Sequence, residues 1–395
     1  MAEPFPYPFP RPTALGIPEQ IAGVHDDPLL PVVLPSGDEA VLLTRYRDVR
    51  QVLTDDRLSR NLSRPDAARI SRNNSMFQDP RINPDPPEHT RVRSLVAKAF
   101  TATRVKKLEP QIHAIADELI DDMERTGGPV DLNEALAFPL PVRVICRLLG
   151  VPDEDVALFR HWTATFLSVS QFPAEEIKKS MADMSRYIAA HIEARRQDPG
   201  GDLVSAMIRA HDEEGRLSEY ELQWWCRLLL LVGYETTATQ LGGGVAMLLS
   251  HPDQLSLLRE DPSLLPSAIE ELLRWKIVGS SVSMLRYATD DIELENCTIK
   301  KGMSVIPAAD CANQDPGQFP DPLSFDITRS ENAHLTFSLG PHFCIGAALA
   351  RAELRIATEA LLNRFPTLRL AVPATDLKRI EGALLEGFTA IPVTW

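Results

Sequence analysis

The chain has 395 residues, of which 44% are hydrophobic and 24% are charged, and its formal net charge is −14. This length allows a large buried core, and composition alone leaves open whether the chain forms one large domain or several. The acidic balance argues against nucleic acid as a partner, because phosphate contacts need clustered Lys and Arg side chains.

Cysteine usage and the N-terminus bear on location. The five cysteines are an odd number without CxxC spacing, so neither a disulfide framework nor a zinc ribbon is expected, and a reducing cytoplasm is the predicted location. Residues 1–20 begin by alternating Pro with aromatic residues and lack an apolar segment. They are predicted to form an extended arm on the surface. Neither a signal peptide nor a membrane anchor is expected there.

The first half of the chain contains a hairpin followed by helices. Residues 30–34 and 39–44 are apolar and β-branched, and the turn Pro35-Ser36-Gly37-Asp38 between them predicts a β-hairpin. Residues 61–84 form a long polar loop, and loops of this length are usually functional. A short helix is predicted before this loop, over 46–53. After the loop, apolar residues recur with helical spacing, which predicts helices over 106–124, 139–149, 153–167 and 174–196.

A helix with a cationic face opens after Pro86-Pro87. His89 and Arg93 are four residues apart, so both side chains point from the same face. Such a pair can be an ordinary solvated face, or it can meet a buried anion.

The longest helical pattern, residues 218–250, begins with the capping box Ser218-x-x-Glu221. Its apolar middle is interrupted by Gly233, Tyr234, Glu235 and Thr236, and Gly242-Gly243-Gly244 follows. A carboxylate and hydroxyls inside an apolar helix are costly unless they have partners. Two roles are open for these residues: a structural one, with Thr236 bonded to a carbonyl one turn earlier and Glu235 beside a buried Arg, and a functional one.

The second half combines one more helix with β-like segments. The helix 266–275 places Glu271 and Arg274 three residues apart on one face. Strands are predicted over 278–286, within 291–305, and over 368–372 and 391–395, with Gly387-Phe388 as a loop tip.

The stretch 337–346 contains two glycines and a proline, and Cys344 lies where this loop passes into a helix that continues to residue 362. The first turn of a helix offers unpaired N–H groups and partial positive charge, which predicts that Cys344 is held as a thiolate. One thiolate ligand, rather than a cage of four, favours an iron porphyrin over zinc.

The pattern Phe337-x-x-Gly340-x-His342-x-Cys344-x-Gly346 resembles the heme-binding signature of the cytochrome P450 family of heme-thiolate monooxygenases. The resemblance implies a mainly α fold with a smaller β-rich part (α+β), in which residues 1–395 form one domain. Heme b would lie between the central helix 218–250 and the heme-side helix within 337–362. Ser338 departs from the family, which often has glycine there.

The resemblance also implies roles for individual residues. Cys344 would ligate the iron, and Glu235 and Thr236 would be the acid–alcohol pair that serves oxygen activation. Glu271 and Arg274 would form the core ion pair, although Ser324 stands where the family usually has Arg, and Arg329 is a possible substitute. The implied heme-binding residues are His89, Arg93, Arg286, Phe337, Gly340, His342, Cys344 and Gly346, and the implied substrate-pocket residues are Val232, Gly233, Val278, Ser281, Val282 and Phe388.

The implied activity is O2-dependent hydroxylation or epoxidation of a medium-sized small molecule, plausibly in secondary metabolism. Because the chain has no flavin or iron–sulfur segment, electrons would come from NAD(P)H through a ferredoxin reductase and a ferredoxin. The ferredoxin would dock on a basic patch, and the protein is expected to be a monomer without membrane or nucleic-acid partners. The residues of this patch are Arg91, Lys98, Arg104, Lys106 and Lys107.

Three alternatives remain open at this stage. The same fold could couple radicals, for instance of aromatic or cyclic-dipeptide substrates, without inserting oxygen. It could use peroxide, which the pair Glu235-Thr236 disfavours because peroxide-driven enzymes can dispense with proton delivery. It could also be a heme sensor or carrier without catalysis, although no output module is visible in the sequence.

Overall fold

The computed structural model describes residues 4–213, 216–275 and 278–395, and these are predominantly helical, as expected for an α+β chain with a small β part. The helices are α1 (Tyr46–Val52), α2 (Glu88–Ala97), α3 (Ala102–Thr126), α4 (Pro139–Leu149), α5 (Val156–Phe166), α6 (Ala174–Gln197), α7 (Leu203–Asp212), α8 (Glu219–Gly233), α9 (Glu235–Leu249), α10 (Pro252–Glu260), α11 (Leu265–Trp275), α12 (Ala309–Ala312) and α13 (Ala347–Arg364).

The strands form three small sheets. A six-stranded sheet has the order β1-β2-β3-β9-β6-β4, a three-stranded sheet the order β10-β11-β5, and β7 pairs with β8. The strands are β1 (Phe5–Pro6), β2 (Leu30–Val33), β3 (Glu39–Leu43), β4 (Leu58–Ser59), β5 (Val130–Asp131), β6 (Arg286–Ala288), β7 (Ile292–Glu293), β8 (Thr298–Ile299), β9 (Ser304–Pro307), β10 (Arg369–Leu370) and β11 (Pro392–Thr394).

The predicted hairpin is confirmed, because β2 and β3 pair antiparallel with Leu30 opposite Leu42. The capping box is also present: the Ser218 hydroxyl accepts from the Glu221 N–H, and the Glu221 carboxylate accepts from the Ser218 N–H at 2.7 Å. This reciprocal pair satisfies two N–H groups that the first turn of α8 would otherwise leave unpaired.

The central pattern 218–250 forms two helices rather than one continuous helix. Tyr234, with φ −123° and ψ −39°, interrupts the hydrogen bonding between α8 and α9. Its buried hydroxyl donates to the Phe159 carbonyl at 3.1 Å, which ties the break to α5. Further along α9, a Cβ on Gly242 would stand 2.6 Å from Asn133 Oδ1, so glycine there permits close helix packing.

Two predictions about local structure need correction. The N-terminal arm is extended, and Phe5 and Pro6 of β1 are exposed, but the arm is more than a surface segment, because β1 joins the large sheet beside β2 and Tyr7 is only 2% exposed. Residues 278–286 do not form a strand: Gly279 has φ +105°, a 3₁₀ turn covers Val282–Met284, and strand geometry begins only at Arg286. The apolar residues of this segment alternate along an irregular loop rather than along a strand.

Candidate active site

The loop before α13 presents Cys344 at its end. Cys344 lies three residues before Ala347, and its N–H donates to the Phe337 carbonyl at 2.8 Å. Gly340 has φ +66°, and a Cβ there would stand 2.8 Å from the carbonyl oxygen of Leu53. The loop can therefore pack against the end of α1 only with glycine at this position.

Ser338 occupies the left-handed region of the same loop, with φ 61°. A non-glycine residue there costs about 1–2 kcal/mol relative to glycine. Its hydroxyl is also buried without a hydrogen-bond partner among the described residues. The serine is thus accommodated in the loop at an energetic cost that the glycine common in the resembled family would avoid.

Cys344 is partly buried, and its surroundings act on the thiol in opposite directions. Burial raises the pKa of Cys344, and this outweighs the Gly346 N–H bond and the positive charges of Arg93 and Arg351, which lower it. Desolvation thus opposes the thiolate that the helix start favours, and the thiolate at Cys344 stays a prediction. A metal ion deprotonates a coordinating thiol, so the site remains competent as a metal ligand.

Cys344 faces a cavity of about 750 Å³. One wall comes from α8, through Trp225, Leu228 and Val232, and another from α2, through His89 and Arg93. The cavity thus separates the cysteine loop from the helix that ends at the Tyr234 break, which is the arrangement predicted for heme.

An unusual set of cations lies at the edge of this cavity. Arg60 and Arg286 are buried, and both donate to backbone carbonyls: Arg60 to that of Ser283 at 3.1 Å, and Arg286 to that of Met284 at 2.8 Å. Arg93 donates to the Phe343 carbonyl. Among the described residues, Asp85 is the carboxylate whose charge acts on Arg60 and Arg286, so the three guanidiniums exceed it by two positive charges.

The energetic cost of this cluster shows in its pKa values. Burial lowers the pKa of Arg60 to about 10, and burial together with Arg93 and Arg60 lowers the pKa of His89 to about 4. The pKa of His342 is lowered by burial and then by Arg60. Arg60 Nε and His89 Nδ1 are buried without partners among the described residues. Unpartnered buried donors of this kind indicate an anionic ligand.

These residues fit heme, whose two propionates would match the two uncompensated positive charges and supply acceptors for the orphaned donors. Arg60 was missed in the sequence, where one Arg in a polar loop gives no signal of burial. Among the other predicted heme-binding residues, the Phe337 ring lies 4.6 Å from the Arg351 guanidinium. Phe337 and Gly346 support the loop and do not line the cavity.

Glu235 and Thr236 lie at the start of α9, directly after the break. Burial raises the pKa of Glu235 to about 7, against the charge of Arg160. Thr236 Oγ1 donates to the Val232 carbonyl at 3.3 Å, and Val232 lines the cavity. The Thr236 bond is the one expected of a structural role, whereas Arg160 is exposed and forms its ion pair with Glu134. The helix start therefore places a carboxyl with a pKa near neutrality one turn from the cavity wall.

Comparison with known proteins establishes the family. The sequence profile described as Cytochrome P450 matches residues 143–385 of this chain. The chain belongs to the cytochrome P450 family. It is 43% identical over 395 residues to a mycinamicin IV hydroxylase/epoxidase of Micromonospora griseorubida, covering 100% of this chain and 99% of that protein. It is 41% identical over 401 residues to a nocardicin C N-oxygenase of Nocardia uniformis subsp. tsuyamanensis, covering 98% of each.

Solved structures agree with this P450 assignment. A putative thioether synthase involved in griseoviridin tailoring superposes with a TM-score of 0.94 at 39% identity, covering 100% of both chains. The leinamycin-pathway cytochrome P450 hydroxylase of Streptomyces atroolivaceus superposes with a TM-score of 0.89 at 43% identity, covering 99% of this chain and 100% of that one. The protein is therefore a bacterial P450, an oxidoreductase of the monooxygenase type that uses heme and O2.

This P450 has a smaller chamber of about 150 Å³ beside the heme cavity. The two spaces share lining residues, among them Arg60, Leu228 and Val232. Of the predicted substrate-pocket residues, Val232 lines both spaces. The others lie outside both linings: Gly233 packs on Ile145, Val278, Ser281 and Val282 lie in the loop before β6, and Phe388 is buried under Arg379.

The ion pair of this P450 is fully buried and bidentate. Arg274 donates to the two carboxylate oxygens of Glu271 at 2.8 and 2.7 Å. Arg329 Nε donates to the same carboxylate at 3.2 Å and so takes the place that Ser324 cannot fill. The Ser324 carbonyl accepts from both guanidiniums. This network joins α11 to the segment that leads into the cysteine loop.

None of the helices in the described part of the chain has both the length and the apolar character needed to cross a membrane.

Proposed function

We propose that this P450 inserts oxygen from O2 into a medium-sized small molecule of secondary metabolism, by hydroxylation or epoxidation. Residues 1–395 would act as one domain, with electrons from NAD(P)H delivered by a ferredoxin reductase and a ferredoxin. The relatives named as a mycinamicin hydroxylase/epoxidase and a nocardicin N-oxygenase support this substrate class.

The observation that carries the proposal is the cavity between Cys344 and α8. Its one thiol ligand, its uncompensated guanidiniums and the apolar wall of α8 together suit a porphyrin with one thiolate ligand and two carboxylates. Heme, once ligated by Cys344, would supply oxygen activation, because thiolate donation favours O–O cleavage.

The residues at the helix break would handle protons. With a pKa of about 7, Glu235 is close to half protonated at neutral pH, which suits a group that repeatedly gains and loses a proton. The Thr236 hydroxyl can turn from the Val232 carbonyl, one turn back, toward the cavity. Leu228, Val232 and Trp225 would exclude water from the reacting substrate.

The ferredoxin would dock on the basic patch of α2 and α3. Lys98, Arg104, Lys106 and Lys107 are exposed there on an otherwise acidic protein. Arg91, placed in the patch from the sequence, forms an ion pair with Glu221 and is therefore less available to a partner.

Oxidative coupling without oxygen insertion is the second candidate. The similarity to a putative thioether synthase, over the whole of both chains, supports it.

Turnover under isotopically labelled O2 separates the two reactions. A substrate would first be found by titrating heme-loaded protein with a metabolite library and following the change in heme absorption. With ferredoxin, reductase and NADPH, we expect one labelled oxygen atom in the product. A product with a new bond between substrate atoms and no label would favour coupling, and turnover that is independent of reductase and O2 would contradict both.

A further inference from the structure

The N-terminal arm is built into the molecule around one tyrosine. β1 adds to the large sheet, and the Tyr7 N–H continues the ladder by donating to the Val33 carbonyl at 2.9 Å. The Tyr7 ring is buried and packs edge-to-face on Phe9, with centroids 5.2 Å apart. The arm therefore carries an aromatic anchor into the interior.

The Tyr7 hydroxyl joins two segments that are far away in sequence. It donates to the Asp310 carboxylate at 2.9 Å and accepts from the Ser281 N–H at 2.7 Å. The Ser281 hydroxyl in turn accepts from the Asp310 N–H at 3.2 Å. Burial, and then the charge of Asp310, raises the pKa of Tyr7, so the hydroxyl remains a donor at any working pH. The loop 279–285 is thereby fastened to α12 through the arm.

The arm also holds a second loop, residues 379–388. Arg11 Nε forms an ion pair with Glu386 at 3.3 Å, and both side chains are largely buried. Arg379 Nε donates back to the Ala14 carbonyl at 2.6 Å and also donates to the Glu386 carbonyl. The arm thus donates to the loop through Arg11, and the loop donates to the arm through Arg379.

Both loops form walls of the smaller chamber. Ser283 and Leu285 of the first loop and Leu384 of the second line it, opposite Leu228 of α8. Tyr7 and Arg11 themselves do not reach the lining. The described part of the arm, from residue 4 on, therefore acts on the chamber through the two loops that it contacts.

We infer that the N-terminal arm is a positioning element for the smaller chamber, in which Tyr7 fixes the loop 279–285 and Arg11 fixes the loop 379–388. The inference rests on the proposed function, in that this chamber is taken to hold the part of the substrate remote from the heme. Without these contacts the loops would sample other positions, and a ligand that fills the chamber would have to order them on binding.

The test compares a small and a large heme ligand on full-length, heme-loaded variants Y7F and R11M. Imidazole needs only the heme cavity, whereas clotrimazole also extends into neighbouring space, and both are titrated by the shift of the Soret band. Loss of the Tyr7 hydroxyl removes bonds to a charged group and a buried N–H. We expect the clotrimazole Kd to rise about tenfold in Y7F and about threefold in R11M, and the imidazole Kd to stay within about twofold.

The matched control is Y46F, because the largely buried Tyr46 also donates one partly buried hydrogen bond, to the Ala333 carbonyl at 2.6 Å, away from both loops. It should leave both constants unchanged. Three results would overturn the inference. In Y7F, the Kd values of the two ligands could change equally, or neither could change. In Y46F, the clotrimazole Kd could rise relative to the imidazole Kd as it does in Y7F. If Y7F does not fold, R11M decides by the same criterion.

Failure of this inference differs from failure of the proposed function. If the unaltered protein bound neither azole at its heme, the heme assignment would be at fault. If the unaltered protein bound both and the ratio of the two constants did not respond to Y7F or R11M, only the role of the arm would be wrong.

Discussion

Glu235 lies at the break between α8 and α9, where burial raises the pKa of its carboxyl to about 7 while Arg160 opposes the shift. Between pH of about 4.5 and 7 the folded protein keeps a proton that the unfolded chain has released. The raised pKa therefore favours the folded state at low pH, and this contribution is lost as pH rises through 7. A residue suited to proton transfer thus destabilises the folded protein at neutral pH.

Replacing Glu235 by Gln removes this pH dependence. Relative to the unaltered protein, E235Q should gain about 2 kcal/mol of stability between pH 5 and pH 8. For a chain of 395 residues, this corresponds to about 2 °C in Tm. Thermal unfolding of both proteins at the two pH values measures it, with exposed Glu331→Gln as control. A Tm difference that stays constant with pH would contradict the raised pKa.

At the residue scale, the sequence identified the groups and not their environments. The resemblance pointed to His89, Arg93, Arg286 and Cys344. The structure brings His89, Arg93 and Cys344 to one cavity, and it places Arg286 in a small neighbouring cavity that shares His342 with it. It did not reveal Arg60, because nothing local marks an arginine as buried. It also predicted a stabilised thiolate at Cys344, since helix-end geometry is visible in sequence and desolvation is not.

At the element scale, the Glu271 network holds α11 against the segment before the cysteine loop. Besides Arg274 and Arg329, the Glu271 carboxylate accepts from Asn332 Nδ2 at 3.0 Å and the Asp326 N–H at 3.2 Å. Arg274 is fully buried, and it also donates to the Asn313 and Pro322 carbonyls at 2.8 Å. Removing Arg274 should therefore lower the free energy of unfolding more than removing Arg329.

Three arginine-to-methionine variants test this order. R274M should lower the free energy of unfolding by more than about 3 kcal/mol, because it leaves a buried carboxylate without its bidentate partner. R329M should lower it by about 2 kcal/mol, since other donors to Glu271 remain. R369M, at an exposed position, should change it by no more than about 0.5 kcal/mol. Thermal midpoints should fall in that order, and an R329M midpoint equal to that of R369M would show that Arg329 contributes nothing to the network.

Helices were predictable where periodicity and caps agree, as for α4, whose bounds the structure reproduces. The conformation of residues 278–286 was not predictable, because a positive φ at Gly279 and a 3₁₀ turn depend on what the loop packs against. The break at Tyr234 is likewise tertiary, since the hydroxyl bonds to α5.

At the scale of the whole molecule, an acidic protein places the guanidiniums of Arg60 and Arg93 at one cavity and that of Arg286 beside it. The family pattern predicted this architecture, because motifs from His89 to Gly346 occur in the family's order along the chain. The burial of Tyr7 in the arm was not predicted, because its partners are remote: Tyr7 and Asp310 are 303 residues apart. Contacts of that range become visible only when the chain is folded.

The central claim is that Cys344 ligates heme iron in the cavity below α8. The most direct measurement is the Soret absorption of the reduced carbon monoxide complex in Cys344→Ala, with Cys297→Ala as control, because Cys297 is a partly buried cysteine in a different part of the fold. We predict that the strongly red-shifted band persists in the control and disappears in Cys344→Ala. Retention of that band without Cys344 would contradict the account.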